Sequence, residues 1–202
     1  MIAIVDYKAG NLTSVKLALG YLGVDCQITH DPDVIRGAER VIFPGDGAAA
    51  AAMEHLNELR LLAPLKDAIA KGTPTLGICL GTQVICDWSD EDGGVPCMGL
   101  LPGKVKKFIA PDPLCKIPQM GWNTMKFARK HPLFEGIEDD SEFYFIHSYY
   151  PVPESRDLVM GVQAILTDGR TIKTGGKVVK NVTGYDTTKI FVGGRMYFGV
   201  PV

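Results

Sequence analysis

Short apolar segments alternate with helical patterns over the first 80 residues, and this alternation limits the possible fold more than any other feature of the sequence. Helical spacings run over residues 11–22, where they stop at Gly23, and over 53–69, with a break at Pro64. Four segments have the apolar pattern of buried strands, at residues 1–7, 24–30, 40–45 and 73–79. This order predicts right-handed βαβ units, and so an α/β fold with a mostly parallel central sheet and helices on both faces.

The pattern changes in the second half of the chain. From about Val95, short alternating segments are separated by proline and glycine, as at residues 104–110, 116–127 and 141–152. Such segments are typical of antiparallel strands and hairpins. The tail from Gly161 is again β-like, rich in glycine and basic. The sequence therefore predicts a three-layer α/β fold with antiparallel strands in its second half.

Composition and charge exclude several classes of function. Hydrophobic residues make up 46% of the 202 residues and the net charge is −2, which gives no reason to expect a nucleic-acid partner. No apolar run approaches the ~20 residues that span a bilayer, and the N-terminal residues lack the pattern of a signal peptide. We therefore expect a cytoplasmic protein without a membrane partner. The five cysteines are irregularly spaced and form no C-x-x-C pair, so we expect reduced thiols and no metal.

Cys79 is the candidate nucleophile. An apolar strand pattern reaches this cysteine between Gly77 and Gly81 and then changes to a helical pattern, which is the arrangement of a nucleophile elbow. A helix N-terminus favours thiolate over thiol, and a thiolate can carry out covalent acyl chemistry. The alternative is a buried core cysteine. The flanking glycines and the change from strand to helix favour the nucleophile, whereas Cys86, two turns further along the same predicted helix, is expected to be core.

A second candidate segment ends the preceding strand. Phe43, Pro44 and Gly45 lie at the carboxyl end of a predicted strand, as Cys79 does, and ligands of parallel sheets bind at such ends. Gly45 and Gly47 suit a loop that turns a backbone amide towards a site. On their own, the glycines favour the alternative of an ordinary strand-to-helix turn.

Five segments, in the right order, resemble a known family over residues 1 to about 157. They are IVDYKAGNLTSV, FPGDGAAAAAM, GICLGTQ, KIPQMGWN and FYFIHSYYPVP. This part of the chain resembles the glutamine amidotransferase subunit of imidazole glycerol phosphate synthase, a class I glutamine amidotransferase of histidine biosynthesis. The resemblance implies a class I glutamine amidotransferase-like fold and a glutaminase that needs no cofactor. It also implies a heterodimer with a barrel-shaped cyclase subunit, which receives the ammonia released from glutamine.

The resemblance also implies roles for individual residues. Cys79 would be the nucleophile, and backbone amides at Gly45 and Leu80 would form the oxyanion hole. The residues around bound glutamine would be Gly47, Gln83, His147, Ser148 and Tyr149. The residues at the partner interface would be Asn11, Pro118, Gln119, Met120 and Trp122. Taken without the resemblance, His147 between aromatic residues has the context of a packed strand residue, and it is not the general base of the family.

The sequence departs from the family at two places. Asp46 stands where the family has a small apolar residue, and a carboxylate there would oppose a developing oxyanion unless it points away. The family completes its triad with a His and a Glu in an H-P-E string near the end of the chain, but no histidine follows His147 in this sequence. We expect impaired acyl transfer for lack of this base. The alternative function is a catalytically inactive subunit that only binds the partner.

The tail has a resemblance of its own. From about Asp157 it resembles an internal piece of the FAD-binding domain of FAD-linked oxidases, of the glycolate oxidase and D-lactate dehydrogenase kind. We therefore divide the chain into an amidotransferase-like domain at 1–157 and an atypical β-rich tail at 158–202, as in a chimera. Some forty residues cannot form the flavin domain alone, and a flavin-dependent oxidase fragment would have to be yellow when purified. Because the tail replaces the closing elements of the family, we expect marginal stability or dependence on the partner.

Overall fold

The structure is a computed structural model that describes residues 1–110, 117–159 and 161–163. These residues form two compact units. The first unit contains residues 1–107 and 149–154, and the second contains the described residues of 108–148 and 155–163. No helix within these ranges is both long enough and apolar enough to cross a membrane.

The secondary structure follows the predicted alternation of strands and helices. The strands, in chain order, are β1 Ile2–Val5, β2 Cys26–Thr29, β3 Arg40–Gly45, β4 Thr75–Cys79, β5 Cys86–Ser89, β6 Val95–Pro96, β7 Leu101–Lys107, β8 Gln119–Phe127, β9 Glu142–His147, β10 Tyr149–Pro153 and β11 Gly161–Gln163. The α-helices are α1 Leu12–Tyr21, α2 Pro32–Gly37, α3 Ala49–Glu58, α4 Leu62–Ala70 and α5 Leu80–Val84.

A parallel sheet organises the first unit, with strand order β2-β1-β3-β4. Successive side chains of a strand point to opposite faces, so each face has its own core. On one face, Ile4 and Ile42 pack with Leu19 of α1. The other face carries the larger core, which includes Ile35 of α2, Leu56 of α3 and Leu65 of α4. The predicted parallel sheet with helices on both faces is confirmed.

Helix α2 was not predicted, because six residues with one buried side chain, Ile35, are too few to show a helical period. The N-terminus of α2 is nevertheless marked by two residues of the sequence. The Asp31 side chain accepts a hydrogen bond from the Asp33 backbone N–H at 2.9 Å, and Pro32 occupies the first helical position. Both are standard signals of a helix N-terminus.

The helical pattern over residues 53–69 is two helices, and its break does not lie at Pro64. Helix α3 ends at Glu58, Arg60 has a positive φ of 55°, and α4 begins at Leu62. Pro64 therefore falls in the first turn of α4, where a proline lacks no intrahelical hydrogen bond. The predicted break at Pro64 is wrong by a few residues.

A second, mixed sheet completes the first unit, with strand order β10-β7-β5-β6. Strand β5 runs parallel to β7, and the other two pairs are antiparallel. Cys86 begins β5, so the prediction that it continues the helix after Cys79 is wrong. Cys86 is fully buried, which confirms that it belongs to the core.

The second unit contains an antiparallel sheet with strand order β11-β8-β9. Residues 141–152, which look continuous in sequence, divide at Ser148 between β9 of this unit and β10 of the first. Of the predicted β-rich tail, residues 161–163 form β11, and residues 164–202 lie outside the described part of the chain.

Candidate active site

Cys79 ends β4 with backbone angles φ 57° and ψ −121°, immediately before α5. Residues with a Cβ rarely adopt a positive φ, and such backbone strain is typical of functional sites. A sharp turn of this kind between strand and helix is the geometry of a nucleophile elbow. Because α5 is only five residues long, its dipole supports a thiolate less than a long helix would.

The two flanking glycines are required by close packing. A Cβ at Gly77 would lie 2.7 Å from Oγ1 and 2.9 Å from Cα of Thr82. A Cβ at Gly81 would lie 1.8 Å from the backbone oxygen of Phe43. No side chain fits at either position, and the predicted tight bend around Cys79 is confirmed.

The end of β3 lies beside this elbow. Gly45 is the register partner of Cys79, and a Cβ on it would lie 3.0 Å from Cβ of Leu80 and 2.9 Å from the backbone N of Gly81. Gly47 follows with φ 84°, a conformation that favours glycine. The structure therefore brings together Cys79 and the two residues predicted for the oxyanion hole, Gly45 and Leu80.

Tyr7, at the end of the first predicted strand segment, also lies beside Gly45, and it was not among the predicted site residues. Its ring is fully buried and packs on Phe43 with the centroids 5.2 Å apart. Its hydroxyl occupies the space of a side chain at Gly45, 2.0 Å from the position of a Cβ there. Burial raises the pKa of Tyr7 well above its ordinary value, and the charges of Cys79 and Asp46 raise it further.

Asp46 is tied to the loop between β1 and α1. Its Oδ1 accepts a hydrogen bond from the backbone N–H of Gly10 at 2.9 Å, although the residue is exposed. The carboxylate is thus engaged with a donor outside the elbow. Its charge still acts on the elbow region, since it contributes to the raised pKa of Tyr7.

The first unit also contains a polar pair, Gln83 and Tyr149, and an acidic turn that carries Asp90, Glu91 and Asp92. Gln83 is 2% exposed, and its Nε2 donates to the backbone oxygen of Tyr149 at 3.3 Å. Burial raises the pKa of Tyr149, and the next largest contribution comes from the Glu91 carboxylate. Oε2 of Glu91 accepts from the backbone N–H of Ala49 at 2.7 Å, so Glu91 caps α3 in place of the Ala48 side chain. Glu91 was not among the predicted site residues.

Comparison with known proteins decides the family. Residues 3–181 match the family described as Glutamine amidotransferase class-I. The chain belongs to the class I glutamine amidotransferases. Two curated relatives of this amidotransferase are the imidazole glycerol phosphate synthase subunits HisH of Nitratidesulfovibrio vulgaris, 48% identical, and of Dehalococcoides mccartyi, 46% identical, each over 159 residues. The first alignment covers 76% of this chain and 74% of the relative, and the second covers 79% and 76%.

Solved structures share the fold of this class I amidotransferase. A structure of PurLQS from Thermotoga maritima has a TM-score of 0.57 and 19% identity, with 80% of this chain and 73% of that chain covered. A crystal structure of a glutamine amidotransferase has a TM-score of 0.55 and 17% identity, with 77% and 75% covered. Both confirm the predicted class I glutamine amidotransferase-like fold.

Two residues predicted to surround glutamine belong to the second unit of the amidotransferase. His147 is fully buried between two rings, with centroid distances of 4.8 Å to Phe108 and 5.8 Å to Phe145. The backbone oxygen of Ser148 accepts from the N–H of Phe108 at 2.9 Å. Gly47, Gln83 and Tyr149, the other residues predicted to surround glutamine, belong to the first unit with Cys79.

The residues predicted for the partner interface are also divided between the units. In the first unit, the Asn11 side chain accepts from the backbone N–H of Ser14 at 3.2 Å and caps α1. In the second unit, Pro118 precedes β8, Gln119 pairs with His147 across to β9, and Met120 is 57% exposed. Trp122 packs edge-to-face on Tyr144, its β9 neighbour, with the ring centroids 5.6 Å apart.

Proposed function

We propose that this chain is the glutaminase subunit of an imidazole glycerol phosphate synthase in histidine biosynthesis. It would hydrolyse glutamine to glutamate and ammonia, which a barrel-shaped cyclase subunit would use in the lyase reaction. The observation that carries this proposal is the strained backbone of Cys79 at the junction of β4 and α5, beside Gly45 and Leu80. The relatives named HisH support the choice of this amidotransferase over others.

In the proposed reaction the Cys79 sulfur adds to the side-chain carbonyl carbon of glutamine, and the carbonyl electron pair moves onto oxygen. Backbone N–H groups near Gly45 and Leu80 would stabilise this oxyanion, and loss of one such donor typically costs ~10²–10³ in rate. Collapse of the adduct expels ammonia and leaves a thioester. Addition of water to the thioester then releases glutamate and restores the thiol.

Proton transfer is the step of the proposed reaction for which this chain lacks the usual catalytic group of the family. The thiol must lose a proton and the departing nitrogen must gain one, which is the work of the triad histidine in the family. No histidine follows His147 in the sequence. Loss of one triad member typically lowers the rate by several orders of magnitude, so we propose a slow glutaminase.

Glutamine recognition would use the acidic turn and the polar pair of the first unit. Free glutamine carries an α-ammonium group. Burial and, after it, the carboxylates of Glu91, Asp92 and Asp90 raise the pKa of Tyr149, so these negative charges lie near the polar pair. Oε2 of Glu91 is engaged with Ala49, which fixes the carboxylate and leaves Oε1 for a cation. We therefore add Glu91 to the proposed substrate-binding residues Gly47, Gln83, His147, Ser148 and Tyr149.

Partner binding would produce a heterodimer, with Asn11, Pro118, Gln119, Met120 and Trp122 at the interface. The exposed Met120 side chain supports this assignment, since methionine is enriched at interfaces. No cofactor, metal or nucleic acid enters the proposed activity.

One observation favours a second function, a catalytically inactive subunit that binds the barrel partner without hydrolysing glutamine. That observation is again the lack of a histidine after His147. A glutaminase assay with and without the barrel subunit, on the wild type and on Cys79→Ala, separates the two functions.

Hydrolysis that the partner stimulates and that Cys79→Ala abolishes would support the glutaminase and exclude the inactive subunit. Partner binding measured by calorimetry, without any hydrolysis above the Cys79→Ala background, would establish the inactive subunit instead. Such hydrolysis would require a base that is not yet identified, and His147→Ala is the first variant to test.

A further inference from the structure

The Tyr7 hydroxyl is a buried polar group without a hydrogen-bond partner among the described residues. The side chain is fully buried in the same core cluster as Cys79, Phe43 and Leu80. A buried hydroxyl that meets no acceptor destabilises the folded state, and phenylalanine would fill the same ring volume without that cost. An unsatisfied buried group of this kind in a native protein calls for an explanation, and a role in the chemistry of a site is one.

The position of the hydroxyl points to such a function. It lies where a side chain at Gly45 would begin, and Gly45 is the register partner of Cys79. The ring is held from behind by Phe43, with an interplanar angle of 56°. The hydroxyl is therefore fixed between the end of β3 and the elbow, where negative charge would develop in the proposed reaction.

We propose that Tyr7 is a hydrogen-bond donor for negative charge at the elbow, first on the Cys79 sulfur and then on the oxyanion that forms from glutamine. The hydroxyl donates without giving up its proton. In the described geometry it meets no acceptor, and rotation of the Cys79 side chain as a thiolate, or arrival of the substrate carbonyl, supplies one. This inference rests on the proposed role of Cys79 as nucleophile.

The raised pKa of Tyr7 is consistent with a hydrogen-bond donor and excludes a general base. Burial and the nearby charges of Cys79 and Asp46 raise the pKa of Tyr7 above its ordinary value, so the phenol stays protonated over the range in which a thiolate forms. A neutral phenol can donate to a charged acceptor, and such hydrogen bonds are stronger than those between neutral groups. Tyr7 is therefore proposed as a hydrogen-bond donor and not as a general base.

The test is the pH profile of Cys79 alkylation in the full-length Tyr7→Phe variant. Iodoacetamide is the probe, the modified Cys79 peptide is quantified by mass spectrometry, and thermal unfolding is measured in parallel. We expect the midpoint of the profile to rise by about one pH unit, because a donor to the thiolate is lost, while the melting temperature stays equal or rises. Tyr21→Phe, at an exposed tyrosine of α1, should change neither quantity.

An unchanged pH profile of Cys79 alkylation would overturn the proposal at either melting temperature, and a raised melting temperature beside it would show that the hydroxyl only destabilises the fold. Loss of cooperative unfolding in Tyr7→Phe would also overturn it, because the hydroxyl would then have a structural partner. The assay needs no turnover. A chain whose Cys79 profile depends on Tyr7 but which hydrolyses no glutamine would refute the glutaminase and leave intact the part of the Tyr7 inference that concerns the Cys79 sulfur.

Discussion

The α-carbon of Gly81 is packed against the carbonyl oxygen of Phe43, so closely that a Cβ at position 81 would lie 1.8 Å from that oxygen. Phe43 belongs to β3, and Gly81 lies in the first turn of α5. The helix that follows Cys79 is thus held directly on the neighbouring strand. This packing maintains the positive φ of Cys79, which the residue would not adopt by itself.

Gly81→Ala should therefore damage both stability and the site. No rotation relieves a clash between a Cβ and a backbone oxygen, so we expect a loss of about 3 kcal/mol or more in the free energy of unfolding. Denaturant unfolding and the rate of Cys79 alkylation measure the two effects. Gly20→Ala is the matched control: nothing lies within 4 Å of its Cβ position in α1, and it should stabilise by about 0.5–1 kcal/mol. Equal stability of the two variants would contradict the described elbow.

Asp46 should slow the chemistry through its charge and not through its hydrogen bond to Gly10. Asp46→Asn keeps an oxygen acceptor and removes the charge, so we expect roughly two- to five-fold faster alkylation of Cys79 at low ionic strength. The gain should shrink in about 1 M salt, where the Debye length is about 3 Å. Asp46→Ala, which also removes the acceptor, should in addition lower the melting temperature. A slower rate in Asp46→Asn at every salt concentration would show that the carboxylate assists the site.

The alkaline stability of the protein should depend on Cys86. Burial raises the pKa of Cys86 from 9.0 to about 12, and Cys97 and Asp87 add to the effect. In this pH range the unfolded state loses the thiol proton more readily than the folded state. The stability contributed by the neutral thiol is therefore complete below pH 9 and is lost as the pH rises towards 12, with a slope of up to about 1.4 kcal/mol per pH unit.

Denaturant unfolding at pH about 8 and about 10.5 measures this slope. Cys86→Ala should be less stable at pH about 8, because it leaves a cavity, yet its stability should fall less steeply with pH. An identical fall in the wild type and the variant would assign the pH dependence to other groups.

Glu91 should govern the affinity for glutamine more than the stability of the fold. Glu91→Gln retains an oxygen that can cap α3 and removes the charge proposed for the substrate ammonium group. We expect at least about a ten-fold weaker affinity, a loss of ~1.4 kcal/mol, with little change in melting temperature. Protection of Cys79 from alkylation by added glutamine measures the affinity without turnover. Glu54→Gln, at an exposed residue of α3, is the control, and protection in Glu91→Gln equal to that in the control would remove Glu91 from the site.

Much of the fold is present in local sequence patterns. The apolar runs of β1, β3 and β4 and the period of α1 predict the parallel sheet, because each pattern covers a whole element. The elbow was also predictable, since Gly77 and Gly81 mark a bend that only small residues allow. Helix α2 is too short to show a period, and its capping residues were the only available signal.

Contacts between distant segments could not be read from the sequence. Tyr7 lies in a strand pattern like any core tyrosine, and only the tertiary packing places its hydroxyl beside Gly45. Glu91 reaches Ala49 across 42 positions of the chain, so no local motif reports the bond. Similarly, the continuous pattern over residues 141–152 gives no sign that β9 and β10 belong to different sheets.

Reaction of the 202-residue chain with a glutamine-analogue electrophile, followed by peptide mass spectrometry, tests the role of Cys79 most directly. We predict a single covalent adduct on Cys79, absent from Cys79→Ala and slowed by added glutamine. Cys86 and Cys97 should remain unmodified near pH 8, because burial raises their pKa values to about 12 and about 11. An unmodified Cys79, or labelling that glutamine does not slow, would contradict the assignment of Cys79 as the nucleophile of a glutamine site.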